Sequence, residues 1–190
     1  MNIAILIMAA GLGRRFCQHG GGNKLLAEID GIPLLSHTLH QALETGEDVY
    51  VVTRPEEANI HSLLQGCQRI DCQSDGLGES IAAGVRATAE YQGWIIALGD
   101  MPWLQTSSYQ AVITALKSSP IVRPVVHGQP GHPVGFSQAF YAQLVGLKND
   151  EGARSLLLTH PPRLLALNDP GCLSDVDYPA MLTGEKHDHA

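Results

Sequence analysis

Apolar positions along the chain fall into short blocks whose period switches between strand-like and helix-like. Residues 3–8 (IAILIM) form a continuous apolar run bounded by Ala-Ala-Gly, the pattern of a strand buried on both faces. Leu34, Leu35, Thr38, Leu39, Ala42 and Leu43 recur at helical spacing, with Pro33 near the start and Gly46 beyond the end, which predicts a helix over 33–45. Residues 48–53 (DVYVVT) read as a second strand, 55–65 as a helix, 69–73 as a short strand and 79–91 as a helix. Residues 94–98 (WIIAL) read as a strand that ends at Gly-Asp-Met-Pro.

The second half continues with a helix over 107–117 and a strand over 121–126. A turn-rich segment, 127–133, predicts a hairpin excursion before the short strand 134–136. Helices over 138–146 and 150–160 and a strand over 163–167 follow, then a short helix after Asp177 with Pro179 in its first turn. The polar tail 185–190 is expected to be disordered, leaving one domain over 1–184. Strands alternating with helices imply βαβ units and a mostly parallel sheet covered by helices, an α/β fold. In such sheets ligands bind beyond the carboxyl ends of the strands. The loops after Met8, Leu98 and Leu167 should therefore share one edge and form one candidate site.

Composition narrows the function classes. A length of 190 residues suits one domain, and 44% hydrophobic against 16% charged residues supplies a sizeable core, which excludes a disordered chain. Twelve Lys and Arg against nineteen Asp and Glu give a net charge of −7, the wrong sign for a nucleic-acid binder. No apolar run approaches the roughly eighteen residues of a membrane span, and residues 1–10 lack a basic segment, so neither anchor nor signal peptide is expected. Cysteines at 17, 67, 72 and 172 form no CxxC pair; neither a zinc cluster nor a disulfide framework fits, and reduced thiols in the cytoplasm are expected.

Several segments can carry chemistry, each with a plainer alternative. The loop Ala9-Ala10-Gly11-Leu12-Gly13-Arg14-Arg15, continued by Gly20-Gly21-Gly22-Asn23-Lys24, combines close-approach glycines with cations, as phosphate binding requires. A surface loop with solvated basic residues has the same composition, and neither GxxxxGK[ST] nor GxGxxG aligns. Asp100 in Gly-Asp-Met-Pro can hold a hard cation such as Mg²⁺ or simply cap the helix that follows. Asp175 and Asp177 fall on one side of an extended Asp-Val-Asp segment, or cap the helix near Pro179. His132 sits in a constrained Pro-Gly-His-Pro turn. Arg154 opens a helix where its charge opposes the dipole, which hints at an anionic partner or a pair with Glu151. Gly78 and Ser80 lie in a Gly-rich turn entering a helix, where backbone and hydroxyl can read a base edge or cap the helix.

Taken in order, AAGxGxR, Lys24, GLGES, GDMP, PGHP, GAR and DVDYP resemble the nucleotidyltransferases that modify the molybdenum cofactor, the cytidylyltransferases above all. The resemblance spans nearly the whole chain, from about Ile3 to Leu182. It implies a Rossmann-like three-layer α/β nucleotidyltransferase fold with a mostly parallel sheet. The implied reaction joins CTP to a molybdopterin-type cofactor and releases pyrophosphate, with Mg²⁺ as cofactor and a molybdoenzyme as a further partner. It implies that Ala10, Gly11, Gly13, Arg15 and Lys24 hold the triphosphate, with Arg15, Lys24 and Asp100 catalytic. Asp100 and Asp177, with Asp175 beside it, hold the metal; Gly78 and Ser80 face the base; His132 and Arg154 meet the acceptor. The alternatives are a guanylyltransferase of the same cofactor, a cytidylyltransferase of a sugar or polyol phosphate, and a non-catalytic cofactor chaperone.

Overall fold

The computed structural model describes residues 1–11, 17, 23–74, 76–148, 150–177 and 179–182. Strand β1 (Ile3–Met8) is buried throughout, and its alternate residues enter two different cores: Ile3, Ile5 and Ile7 on one face, Ala4, Leu6 and Met8 on the other. A strand with apolar residues at both parities requires cover on both sides. That cover comes from helices α1 (Leu34–Leu43) and α4 (Thr106–Leu116) on one face. On the other lie α3 (Leu77–Ala87), α5 (Tyr141–Val145) and α6 (Arg154–Thr159).

The remaining main strands are β4 (Asp48–Thr53), β5 (Gln68–Asp71), β6 (Gly93–Leu98), β7 (Ile121–Val126), β9 (Val134–Ser137) and β10 (Arg163–Ala166). With β8 (Gln129–Pro130) paired to β7, they form an eight-stranded sheet of order β10-β7-β9-β6-β1-β4-β5. β1, β4, β5 and β6 pair in parallel, as do β7 and β10, while β9 runs antiparallel between β6 and β7. The carboxyl ends of β1, β6, β7 and β10 therefore open on one edge, and the three loops expected to meet there do so.

The hairpin expected over 127–133 is present: His127 (φ 49°) and Gly128 (φ 75°) turn β7 into β8. A second hairpin, β2 (Glu28–Ile29) to β3 (Ile32–Pro33), was not anticipated, although Asp30 (φ 53°) and Gly31 (φ 77°) are the residue types such a turn demands. Four predicted helices differ. The one over 55–65 shrinks to α2 (Ala58–His61), because Leu63 and Leu64 bond three residues back, to Ile60 and His61, rather than four. The one over 150–160 begins only at Arg154, since Gly152 (φ 64°) cannot continue a right-handed turn. The one over 138–146 splits into a 3-10 turn (Gln138–Phe140) and α5. The one over 79–91 starts at Leu77 and stops at Ala87, where Thr88 leaves helical geometry and donates back to the Gly84 carbonyl.

Candidate active site

Gly99 is clamped where β1 and β6 end: its N–H donates to the Met8 carbonyl (2.9 Å), and the Gly99 carbonyl accepts from Thr38 Oγ1 (2.8 Å). This fixes Asp100, one residue on, at the carboxyl edge. Asp100 does not cap α4. That helix begins at Thr106 with Gln105 as its N-cap, and Asp169 serves it: Asp169 Oδ2 accepts from the Gln105 N–H (2.9 Å) and from Ser108 Oγ (2.7 Å). Asp100 Oδ2 instead accepts from Lys24 Nζ at 2.7 Å, and Lys24 also donates to the Val176 carbonyl at 3.2 Å.

Val176 brings the third loop in. Its side chain is fully buried in the core and its N–H donates to the Asp100 carbonyl (2.9 Å), so Asp175 and Asp177 project together on the other side. Oxygens of Asp100, Asp175 and Asp177 lie within 4.8 Å of one another. Burial raises the Asp100 carboxyl above its ordinary range despite the pull of Lys24, with repulsion from Asp177 adding to the rise. Asp175 is raised by burial and then by repulsion from Asp100 and Asp177. Asp100 Oδ1 is buried with no hydrogen-bond partner among the described residues. An orphaned buried carboxylate oxygen beside two more carboxylates is a donor set suited to a hard divalent cation.

Two cavities flank this cluster. The first, about 140 Å³, is lined by Ala10, Gly11, Lys24, Ser80 and Asp100, with Leu77 and Leu98 among its apolar walls. The second, about 330 Å³, shares Leu77 and Leu98 with the first and carries Arg123, His132 and Arg154 on a floor of Ile96, Val134 and Phe136. His132 is held by its N–H to the Cys172 carbonyl (2.9 Å). Burial, with the charge of Arg123, pushes the His132 ring down to about 4, so it is neutral at pH 7. The Arg154 guanidinium is exposed and has neither hydrogen bond nor ion pair among the described residues, so the alternative of a pair with Glu151 does not hold.

Ala10, Gly11, Lys24, Ser80 and Asp100 thus come together in one cavity, and His132 and Arg154 in its neighbour. Gly78 is buried in the first turn of α3 and is not among the residues lining either cavity. Gly13 and Arg15 lie outside the described residues. Sequence reasoning missed Arg123, although a cation inside the apolar strand IVRPVV was a visible signal. It also missed Asp169, whose sequence Asn-Asp-Pro-Gly looks like an ordinary turn.

Residues 5–164 match the model of the MobA-like NTP transferase domain. The chain is 31% identical over 194 residues to the purine catabolism protein PucB of Bacillus subtilis, covering 92% of this chain and 91% of that one. It is 28% identical over 203 residues to a probable molybdenum cofactor guanylyltransferase of Nostoc sp., covering 98% and 93%. Among solved structures it is similar to Rv0371c of Mycobacterium tuberculosis (24% identity, TM-score 0.81, 94% of each chain), which has also been solved with manganese. The fold is the three-layer α/β nucleotidyltransferase fold, and the chain is a nucleotidyltransferase that belongs to the MobA-like NTP transferase family.

Proposed function

We propose that this enzyme transfers CMP from CTP to the phosphate of a molybdopterin-type cofactor and releases pyrophosphate. The observation that carries this reading is the pair of adjoining cavities meeting at Leu77 and Leu98, with Lys24 and Asp100 lining the first and Asp175 and Asp177 clustered beside Asp100. A two-substrate transfer needs two such compartments with the charged groups where they join. The Pro-Gly-His-Pro turn supports CTP through the resemblance to cytidylyltransferases, and the Nostoc relative's name supports GTP as the second reading.

In this reading Ala10, Gly11 and Gly13 admit the triphosphate close to the backbone, and Arg15 and Lys24 neutralise it. Ser80 meets the base, with the buried Gly78 behind it in the same helical turn, and His132 and Arg154 orient the acceptor. An oxygen of the acceptor phosphate attacks the α-phosphorus, the bond to the β-phosphate oxygen breaks, and pyrophosphate leaves. A phosphate monoester has its second pKa near 6, so the nucleophile is largely ionised at pH 7 and no general base is required. A neutral His132 is consistent with that. Asp100 and Asp177, with Asp175 beside them, would hold Mg²⁺, which supplies charge neutralisation between two anionic reactants. Lys24, released from Asp100, would stabilise the leaving pyrophosphate.

The same reading takes 1–184 as one domain working in the cytoplasm beside a target molybdoenzyme. No helix among the described residues is long and apolar enough to cross a membrane. The test is pyrophosphate release with Mg²⁺ and molybdopterin, comparing CTP, GTP, ATP and UTP. CTP-selective, pterin-dependent release is the expected result. GTP preference moves the enzyme to the guanylyl branch, and release that requires a sugar or polyol phosphate replaces the acceptor. No release from folded protein that binds the pterin points to a chaperone.

A further inference from the structure

The second cavity contains a cation that has no counter-ion among the described residues. Arg123 lies partly buried on β7, an interior strand of the sheet, and its Nε donates to the Gly131 carbonyl at 3.0 Å. That neutral carbonyl is its hydrogen-bond partner, and the ion pairs among the described residues (Lys24–Asp100, Arg54–Glu56 and Arg69–Asp71) do not involve it. Around it the walls are Ile81, Ile96, Phe136 and Leu157, with His132 neutral. A guanidinium taken partly out of water beside apolar walls is unfavourable unless an anion meets it.

The register of the sheet separates Arg123 from the reacting centre. Val122 and Ile95 both pair with Gly135, so Arg123 stands level with Ile96, two residues before β6 ends at Leu98. Its backbone is therefore about 7 Å below the carboxyl edge and about 10 Å to the side of β6. Asp100 lies beyond that edge. Arg123 lines the second cavity and not the first, whereas Lys24 and Asp100 line the first and not the second.

We propose that Arg123 is the counter-ion for an anionic group on the body of the acceptor, separate from the phosphate that reacts. This rests on assigning the second cavity to the acceptor. The terminal N–H groups of the guanidinium offer a planar fork suited to a carboxylate-like or enolate-like anion in an apolar setting. The acceptor class is thus a flat, largely apolar body with one anionic end buried against β7 and a phosphate at the sheet edge.

The test uses the full chain and two fluorescent probes without a phosphate, pterin-6-carboxylate and pterin. Wild type is expected to bind the carboxylate at least tenfold more tightly. Arg123→Gln should remove that preference and Arg123→Lys should keep most of it, a dependence on charge that a purely structural role for the Gly131 bond would not produce. A preference that persists in Arg123→Gln, or its absence in wild type, overturns the proposal. Benzoate against benzyl alcohol separates this inference from the pterin reading: Arg123-dependent preference for benzoate with no binding of either pterin keeps the anion site and discards the pterin. A further measurement needs no variant. Saturating benzoate should move the His132 ring pKa upward by NMR, because the anion offsets the Arg123 charge; an unmoved pKa also overturns the proposal.

Discussion

Lys24 Nζ lies 2.7 Å from Asp100 Oδ2, so an ammonium sits against the carboxylate that the cluster of Asp100, Asp175 and Asp177 would turn toward a cation. Asp100→Asn removes one negative charge from a buried, mutually repelling set while leaving Lys24 its Val176 acceptor. Turnover should fall at least 100-fold, and the melting temperature in EDTA should not drop. Activity above a tenth of wild type would remove Asp100 from the reaction. Millimolar Mn²⁺ should raise the melting temperature of wild type by linkage to the native state. The variant should not respond.

Asp169 is a joint between the acidic loop and the body. One carboxylate accepts from the Gln105 N–H, Ser108 Oγ and the Gly171 N–H, tying the start of α4 to the 3-10 turn Pro170–Leu173. Asp169→Ala strands these donors in a largely buried setting, and urea unfolding should show a loss of about 2–4 kcal/mol. Asp169→Asn, which keeps one acceptor oxygen, should lose less. Mn²⁺ affinity should weaken in step, because Asp175 and Asp177 follow directly on the turn that Asp169 holds.

The same turn is locked by a close backbone approach. A Cβ on Gly171 would collide with the Trp103 carbonyl oxygen, a contact backbone cannot relieve by changing rotamer. Gly171→Ala is expected to cost at least about 3 kcal/mol, the upper part of the overpacking range. It should also lower activity by displacing the acidic loop from Asp100. A melting temperature within a degree of wild type would mean that the loop moves freely, contrary to the packing around Gly171.

Much of the fold was legible because both parities of β1 are apolar and the helical stripes around Leu34–Leu43 and Ser80–Val85 have clear period. The helices misjudged in length fail where a single residue decides: Gly152 with positive φ, or Thr88 bonding back to Gly84. Asp100, Lys24, Asp175 and Asp177 could be named because edge topology brings loops together whatever their detail. The role of Asp169 was not legible, since capping a helix 64 residues earlier in the chain leaves no local pattern. Arg123 escaped for the opposite reason: strand period places it correctly but says nothing of a cavity formed by residues from α3, β6, β9 and α6.

His132 should give the protein a measurable acid sensitivity. Its ring is held neutral, with the folded-state pKa pushed down to about 4 by burial and by Arg123, while an unfolded chain offers the ordinary value of 6.5. Below 6.5 the unfolded chain gains a proton that the folded one refuses until about pH 4. The contribution of this group to stability is therefore intact above pH 6.5 and is lost as pH falls toward 4. Between pH 7.5 and 4.5 the loss amounts to about 2–3 kcal/mol. His132→Asn abolishes the titration, so the stability gap between wild type and variant should narrow by that amount over the same interval, read by urea unfolding at each pH. Arg123→Gln removes the repulsive charge and should make this acid-induced loss smaller, because the folded-state pKa moves back toward 6.5 and the window closes from its low-pH end. A gap that stays constant from pH 7.5 to 4.5 would show that His132 is protonated as readily in the folded cavity as in water.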